Sequence, residues 1–345
     1  MNTLPDLIGH DAPWRWFGNA IGAGRLGGSF LFVGPNGVGK RTFALHLAKR
    51  LLCEAENRSQ VEPACNACSA CVQVDAQTHP DLLQVFKPED RASIPLELLI
   101  GPRDNRNQVG FCRDVRLSPF RGRRKVALLH DADFFQAESA NCLLKTLEEP
   151  PSEAVIILIG TSVQRQLPTI RSRCQTVRFE PPRGDNAVAI MRRHLEFAES
   201  ELLESQEIDQ HLSVDNVHRL LSMAGGDVVN ACAMLDSEAG SFQGQLIEML
   251  ANPKSVPLSR TVTKYVEDAG KVARKRRDRM KLVFGMAMQH YRGQMRRLAA
   301  EGRDHSAAMY RMDYCMRAHQ YVDNNANQAT LIETWAAEID RGHPV

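Results

Sequence analysis

A chain that places Gly34-Pro35-Asn36-Gly37-Val38-Gly39-Lys40 directly after an apolar run and directly before a helical pattern has few folds open to it. The glycines let backbone N–H groups face an anion, and the helix that follows offers the partial positive charge of its N-terminus. The lysine reaches the outer phosphates of a nucleotide. The flanks agree with this reading. Ser29–Val33 is a short apolar run suited to a buried strand, and from Lys40 onward Phe43, Leu47 and Leu51 recur at helical spacing, with Ala44 and Ala48 beside them. The pattern predicts strand, loop and helix, the opening of a βαβ unit.

Two more buried strands are expected at Lys125–Leu129 and Ala154–Gly160, the second almost entirely β-branched or apolar, as when both faces of a parallel sheet are covered. Between them a helix is expected from about Ala137 to Leu147, stopped by Pro150-Pro151. Strands alternating with helices predict an α/β sheet with right-handed crossovers. Residues 87–110 show no clear period and contain Pro88, Pro95 and Pro102, so they read as a long surface excursion. After Pro181-Pro182-Arg183-Gly184, a linker, the apolar spacing is helical throughout. Val188, Ile190, Met191 and Leu195 mark one helix, Val217, Leu220, Leu221 and Ala224 another, and Met280–Leu298 and Thr330–Ile339 later ones. Three domains are expected: 1–180 with the nucleotide loop, a small helical domain over 181–250, and an all-helical domain over 251–345.

The loop departs from its motif where a metal is concerned. The position after Lys40 ordinarily supplies a hydroxyl for Mg²⁺, but here it is Arg41. Thr42 follows one residue late, rotated by ~100° around the helix. The strand ending at Leu129 leads into His130-Asp131, where an acidic pair is expected, with Asp133 further on. A neutral imidazole is a poor partner for a hard cation, and Asp131, at the water-polarising position, is one methylene shorter than Glu. Two independent losses converge on one ion. They predict binding without efficient hydrolysis, or an empty site; the rival is a working ATPase with unusual ligands.

Four cysteines gather close in the chain. Cys65, Cys68 and Cys71 form CxxCxxC, with Cys53 twelve residues upstream at the end of the loop's helix. Four thiolates so placed suit structural Zn²⁺ in a closed tetrahedral shell; a redox role would need a low-pKa exposed pair, and the spacing alone also admits an iron–sulfur cluster. The remaining five of nine cysteines, Cys112, Cys142, Cys174, Cys232 and Cys315, are scattered and read as small buried apolar residues. The N-terminus shows no secretory signal pattern and no run approaches a membrane span, so a cytoplasmic, non-membrane protein with reduced thiols is expected. The formal charge of +2 is too balanced for a wholly polybasic binder.

These features coincide with two further motifs, Ser139-Ala140-Asn141-Cys142-Leu143-Leu144-Lys145-Thr146-Leu147-Glu148-Glu149-Pro150-Pro151 and Leu167-Pro168-Thr169-Ile170-Arg171-Ser172-Arg173-Cys174. Together they resemble the AAA+ clamp-loader subunits of bacterial DNA polymerase III, strongly over 4–180, weakly over 183–245, and mainly by domain order beyond. The resemblance implies an AAA+ parallel-sheet domain with a zinc insertion, a helical lid and an all-helical collar. It implies assembly with gamma/tau and delta subunits, and work on a sliding clamp and primed DNA. Arg41 and His130 fit the stator-like delta-prime type better than the ATP-hydrolysing gamma/tau type. So does Gly226-Asp227-Val228 followed by Val229, where gamma-like subunits carry a sensor-2 arginine. Thr161 matches the sensor-1 position. Gly34, Gly37, Gly39, Lys40, Arg41, Thr42, His130, Asp131 and Thr161 are then the residues of a vestigial nucleotide site, with ATP and Mg²⁺ poorly held. Arg173, in Ser-Arg-Cys, is implied to act in trans on a neighbour's ATP; by itself it reads as a surface salt bridge.

Other candidates carry two readings each. Asn141 and Lys145 lie one turn apart on a common helix face, solvated or turned to a subunit or DNA. Glu148 and Glu149 end a helix before two prolines and suit positioning better than acid–base chemistry. The run 271–281 holds seven basic residues and one acid, suited to a solvated helix or to phosphates. By the resemblance, His10 falls where AAA+ chains approach the adenine; His79 reads as a loop residue.

Overall fold

The computed structural model describes residues 7–24, 26–55, 62–88, 90–121, 124–197, 212–235, 237–252, 258–270, 272–323 and 327–341. The chain divides into two compact units, Met1–Pro182 and Arg183–Val345.

The first unit is built on five strands: β1 (Gly28–Val33), β2 (Leu82–Val85), β3 (Lys125–Leu129), β4 (Ala154–Gly160) and β5 (Gln175–Arg178). They lie in the order β2-β3-β4-β1-β5, every pair parallel. β3 and β4 are buried along their whole length, which is why both read as unbroken apolar runs. β5 is an edge strand whose side chains are mostly exposed; it adds backbone hydrogen bonding beside β1, from Phe30 against Gln175 to Val33 against Arg178. Among the described residues, seven α-helices accompany the sheet: α1 (Asp11–Gly22), α2 (Lys40–Leu52), α3 (Ser69–Asp75), α4 (Leu96–Ile100), α5 (Phe111–Arg116), α6 (Ala137–Glu148) and α7 (Pro168–Arg171).

Two apolar clusters support the site. One gathers Leu31, Ile94, Leu99, Phe111, Leu143 and Leu158. The other is aromatic: Phe17, Phe32, Phe43 and Phe179 meet edge-to-face or tilted, with ring centroids 5.1–5.8 Å apart. Residues 87–110 are therefore only partly a surface excursion. Ile94 and Leu99 are fully buried, and the Ile94 N–H bonds to the Phe134 carbonyl at 3.2 Å. The prolines hid a short helix, α4, begun directly after Pro95.

The second unit is helical throughout its described residues: α8 (Gly184–Phe197), α9 (Val214–Met223), α10 (Val228–Ala233), α11 (Ser237–Ala251), α12 (Leu258–Glu267), α13 (Ala273–Ala300), α14 (Ser306–Asp323) and α15 (Gln328–Arg341). Trp335 is fully buried against Phe284, and its indole N–H donates to Cys315 Sγ at 3.3 Å. The basic run is partly consumed in packing. Arg279 lies 4.7 Å over the Tyr265 ring and donates to its carbonyl, and Arg276 donates to the Gly270 carbonyl. Lys271 lies outside the described residues. Among the described residues, no helix is long and apolar enough to cross a membrane.

Candidate nucleotide loop, arginine and metal centre

The glycine loop joins β1 to α2 as the sequence predicts, and its shape is set from beneath. Gly34 donates its N–H to the Thr161 carbonyl at 3.1 Å, and a Cβ added at Gly34 would lie 2.3 Å from the Phe179 carbonyl oxygen. Gly37 (φ 74°) and Gly39 (φ 94°) take left-handed conformations that suit glycine. His10 braces the loop. Its buried ring lies between Phe43 and Phe179, and Nε2 donates to the Val38 carbonyl at 2.5 Å. Burial holds its pKa below the ordinary histidine value. Lys40 is buried, its ammonium donating to the Gly34 and Pro35 carbonyls at 2.6 Å each.

Arg41 is the second residue of α2, its side chain half in solvent, and its Nη2 lies 2.5 Å from Asp131 Oδ1. Asp131 follows His130 off the end of β3 with φ 56°, a left-handed conformation more accessible to Asp than to most side chains. Thr42 sits half-buried on α2. Thr161 is claimed too. Its hydroxyl donates to Asp133 Oδ2 at 2.6 Å, and its N–H bonds the same carboxylate at 2.9 and 3.0 Å. Gln166 also donates to Asp133. Asp133 is thus the hub of this corner. Its sequence signal was only a carboxylate near the strand end, and Gln166 gave none.

His130 is 1% exposed, stacked on Phe86 with centroids 4.1 Å apart, and Nε2 meets Gln84 Oε1 at 3.1 Å. Burial, reinforced by the Arg41 charge, pushes its pKa down to about 4 from 6.5. The neutral form is therefore favoured in the fold, and protons bind the unfolded chain first. Its contribution to stability is present above 6.5 and is lost as the pH falls toward 4. Relative to a His130→Asn variant, the wild type should lose about 2 kcal/mol between about pH 7 and about pH 5 in urea unfolding. Parallel pH curves for the two proteins would refute this.

A divalent magnesium ion does not fit these groups. The hydroxyl position carries a guanidinium, the carboxylate beside it is already ion-paired to that guanidinium, and the imidazole is buried and neutral.

Arg173 follows α7. Its Nε meets Glu148 Oε2 at 3.2 Å, and Nη1 donates to the Thr169 carbonyl at 3.1 Å and to Ser172 Oγ at 3.3 Å. The salt bridge read from the sequence exists, and its partner is the last residue of α6. Asn141 and Lys145 are exposed on that helix, whereas Glu149 makes no described contact with the arginine.

The four cysteine sulfurs lie within 4.8 Å of one another. Cys53 and Cys68 Sγ are 3.9 Å apart, and Cys65 and Cys71 Sγ 3.8 Å. A tetrahedron of sulfurs about 2.3 Å from a central Zn²⁺ has edges of ~3.8 Å, so these atoms fit a metal. The N–H groups of Ala67 and Cys68 point at Cys65 Sγ and lower its pKa to about 6, towards the thiolate a metal needs. The module is fastened to the sheet domain. Cys53 ends α2, Lys49 pairs with Asp75 at 2.5 Å, and Arg121 reaches Glu54, Ser69 and Gln73. Of the other five cysteines four are buried and Cys142 is half-buried. His79 lies in a loop, as expected, but is buried, its Nδ1 accepting the Asp81 N–H at 3.1 Å. Val229, after the Gly226-Asp227-Val228 tripeptide, is exposed in the first turn of α10.

Residues 9–183, holding all of these groups except Val229, match the family model described as DNA polymerase III, delta subunit. The chain belongs to that family. It is 34% identical over 220 residues to the DNA polymerase III subunit delta' of Pseudomonas aeruginosa, covering 64% of this chain and 59% of that protein. It is 35% identical over 163 residues to the subunit delta' of Bacillus subtilis, 47% of this chain and 45% of that one. It is 31% identical over 250 residues to the subunit tau of Salmonella typhimurium, 71% of this chain and 34% of tau. The chain spans less than two thirds of the length of these relatives.

Proposed function

We propose that this family member is a delta-prime-like subunit of the DNA polymerase III clamp loader. It assists ATP-dependent loading of a sliding clamp onto primed DNA, with Arg173 acting in trans on the ATP of a neighbouring gamma/tau subunit. The single observation that carries this is the ion pair between Arg41 and Asp131, which fills the locus a hydrolytic site would give to its metal. Arg173 supports it from the other side: its Nη2 has no hydrogen bond among the described residues, while Glu148 and the Thr169 carbonyl hold the rest of the fork. An arginine restrained this way offers a planar, permanently charged group suited to phosphate oxygens.

The remaining parts of the reading follow the same logic. Residues 1–180 are the AAA+ module, 181–250 the lid and 251–345 the oligomerisation collar. Cys53, Cys65, Cys68 and Cys71 hold a structural Zn²⁺. The gamma/tau and delta subunits are the direct partners, and the setting is cytoplasmic. The rival reading, a gamma/tau-like subunit that hydrolyses its own ATP, has in its favour the intact GxxxxGK spacing and the 31% identity to tau. An ATPase assay of the isolated chain with clamp and primed DNA separates the two. Turnover at background is expected; a rate of about 1 s⁻¹ or more, within the ordinary enzyme range, would establish the rival.

A further inference from the structure

The residues around the glycine loop hold their own positive charge in place of a metal. Arg41 projects from the first turn of α2, and Asp131 receives one of its N–H groups at 2.5 Å. The other guanidinium nitrogens carry no hydrogen bond among the described residues. Arginine has five N–H donors, so most of the fork faces outward. Lys40, the second cation, is fixed against the loop carbonyls. The oxygens that a divalent ion would need are spoken for: Asp131 by Arg41, and Asp133 by Thr161 and Gln166. Beside them His130 is 1% exposed, and its Nδ1 has no hydrogen-bond partner among the described residues. Meanwhile the loop keeps what phosphate binding requires of a backbone: two left-handed glycines and the N-terminus of a 13-residue helix.

We propose that Arg41, held by Asp131, replaces the divalent cation at this loop, and that the loop binds nucleoside di- or triphosphate in the metal-free form. The inference takes its ligand class from the reading of the loop given above, and does not depend on Arg173. Its charge arithmetic is specific. Lys40 and Arg41 against Asp131 leave one net positive charge, where a lysine and a magnesium ion against one carboxylate would leave two. Binding is accordingly weaker than at a metal-loaded site, and Mg²⁺ in solution opposes it, because magnesium competes for the same phosphate oxygens. A metal that tightens binding at an ordinary glycine loop loosens it here.

The test is a calorimetric titration of the full chain with ADP and with ATP, each in EDTA and in excess Mg²⁺. Wild type should bind at least one nucleotide in EDTA, and bind it no tighter in Mg²⁺. Arg41→Thr restores a hydroxyl next to Lys40 and releases Asp131, so its preference should reverse, with Mg²⁺ tightening binding by about tenfold or more. Arg41→Gln, which removes the charge and leaves a shorter, neutral hydrogen-bonding side chain, should lose about tenfold in EDTA. Tightening of wild-type binding by Mg²⁺ would overturn the proposal. So would the absence of binding by wild type in both conditions, or Arg41→Gln binding as wild type does in EDTA. Should Arg41→Thr not fold, the Arg41→Gln comparison decides alone. None of these outcomes touches the trans role of Arg173, whose failure would show only in the assembled loader.

Discussion

Replacing Arg173 by alanine is expected to slow ATP hydrolysis about 10³–10⁵-fold at the neighbouring site it faces, with the loader still assembling. The size follows from what a guanidinium does for a transferring phosphoryl group, stabilising charge that develops only in the transition state. The site is best isolated in a complex whose other ATP sites carry lysine substitutions in their loops, so that one interface reports. Arg173→Lys should recover little, since an ammonium keeps the charge but loses the planar fork. Glu148 gives a graded companion. It meets Arg173 Nε at 3.2 Å across a half-exposed pair, so Glu148→Gln should lower the rate far less than removal of the arginine. Unchanged turnover in Arg173→Ala would return the residue to the bland reading, a surface ion pair with Glu148.

Stripping the metal from the cysteine cluster is expected to have the largest effect on stability. Cys68→Ser, or a strong chelator, should destabilise the first unit by on the order of 5 kcal/mol, because metal affinity is folding free energy where the site forms only in the folded chain. For a unit of this size that corresponds to a fall in melting temperature of roughly 10–20 °C. The unfolding should extend beyond the module itself. Cys53 terminates α2, and Arg121 joins the module to the loop before β3, whose backbone N–H groups at Phe120 and Arg121 are gripped by the fully buried Asp81 at 2.6 and 2.8 Å. Cys142→Ser, outside the cluster, is the control and should move the melting temperature by only a few degrees. Elemental analysis should give one zinc per chain; iron, or no metal at all, would defeat the assignment.

The sheet was legible where it is buried on both faces. β3 and β4 fall at the residues expected from their apolar runs, and α2 and α6 begin where the spacing places them. β2 and β5 were not legible, for a physical reason: each is four residues long, and β5 points mostly polar or charged side chains outward. An edge strand needs only its backbone to pair, so its side chains carry little pattern. The same reason hid α4, a five-residue helix too short to show a period. At the site, residue identity disclosed which side-chain types are poor partners for a hard cation, Arg41 and His130 among them. What sequence could not disclose was pairing across distance. Arg41 with Asp131, Thr161 and Gln166 with Asp133, and Glu148 with Arg173 are each joined only by the fold. The place of His10 as a brace under Val38 was hidden for the same reason.

The 2.3 Å gap between a would-be side chain at Gly34 and the carbonyl of Phe179 means that this glycine is dictated by masonry, whatever passes through the doorway above it. A descendant that abandoned nucleotides altogether would still be obliged to keep it. The first letter of such a signature therefore records how two strands meet, and the evidence of trade must be sought further along, in the side chains that the walls do not require.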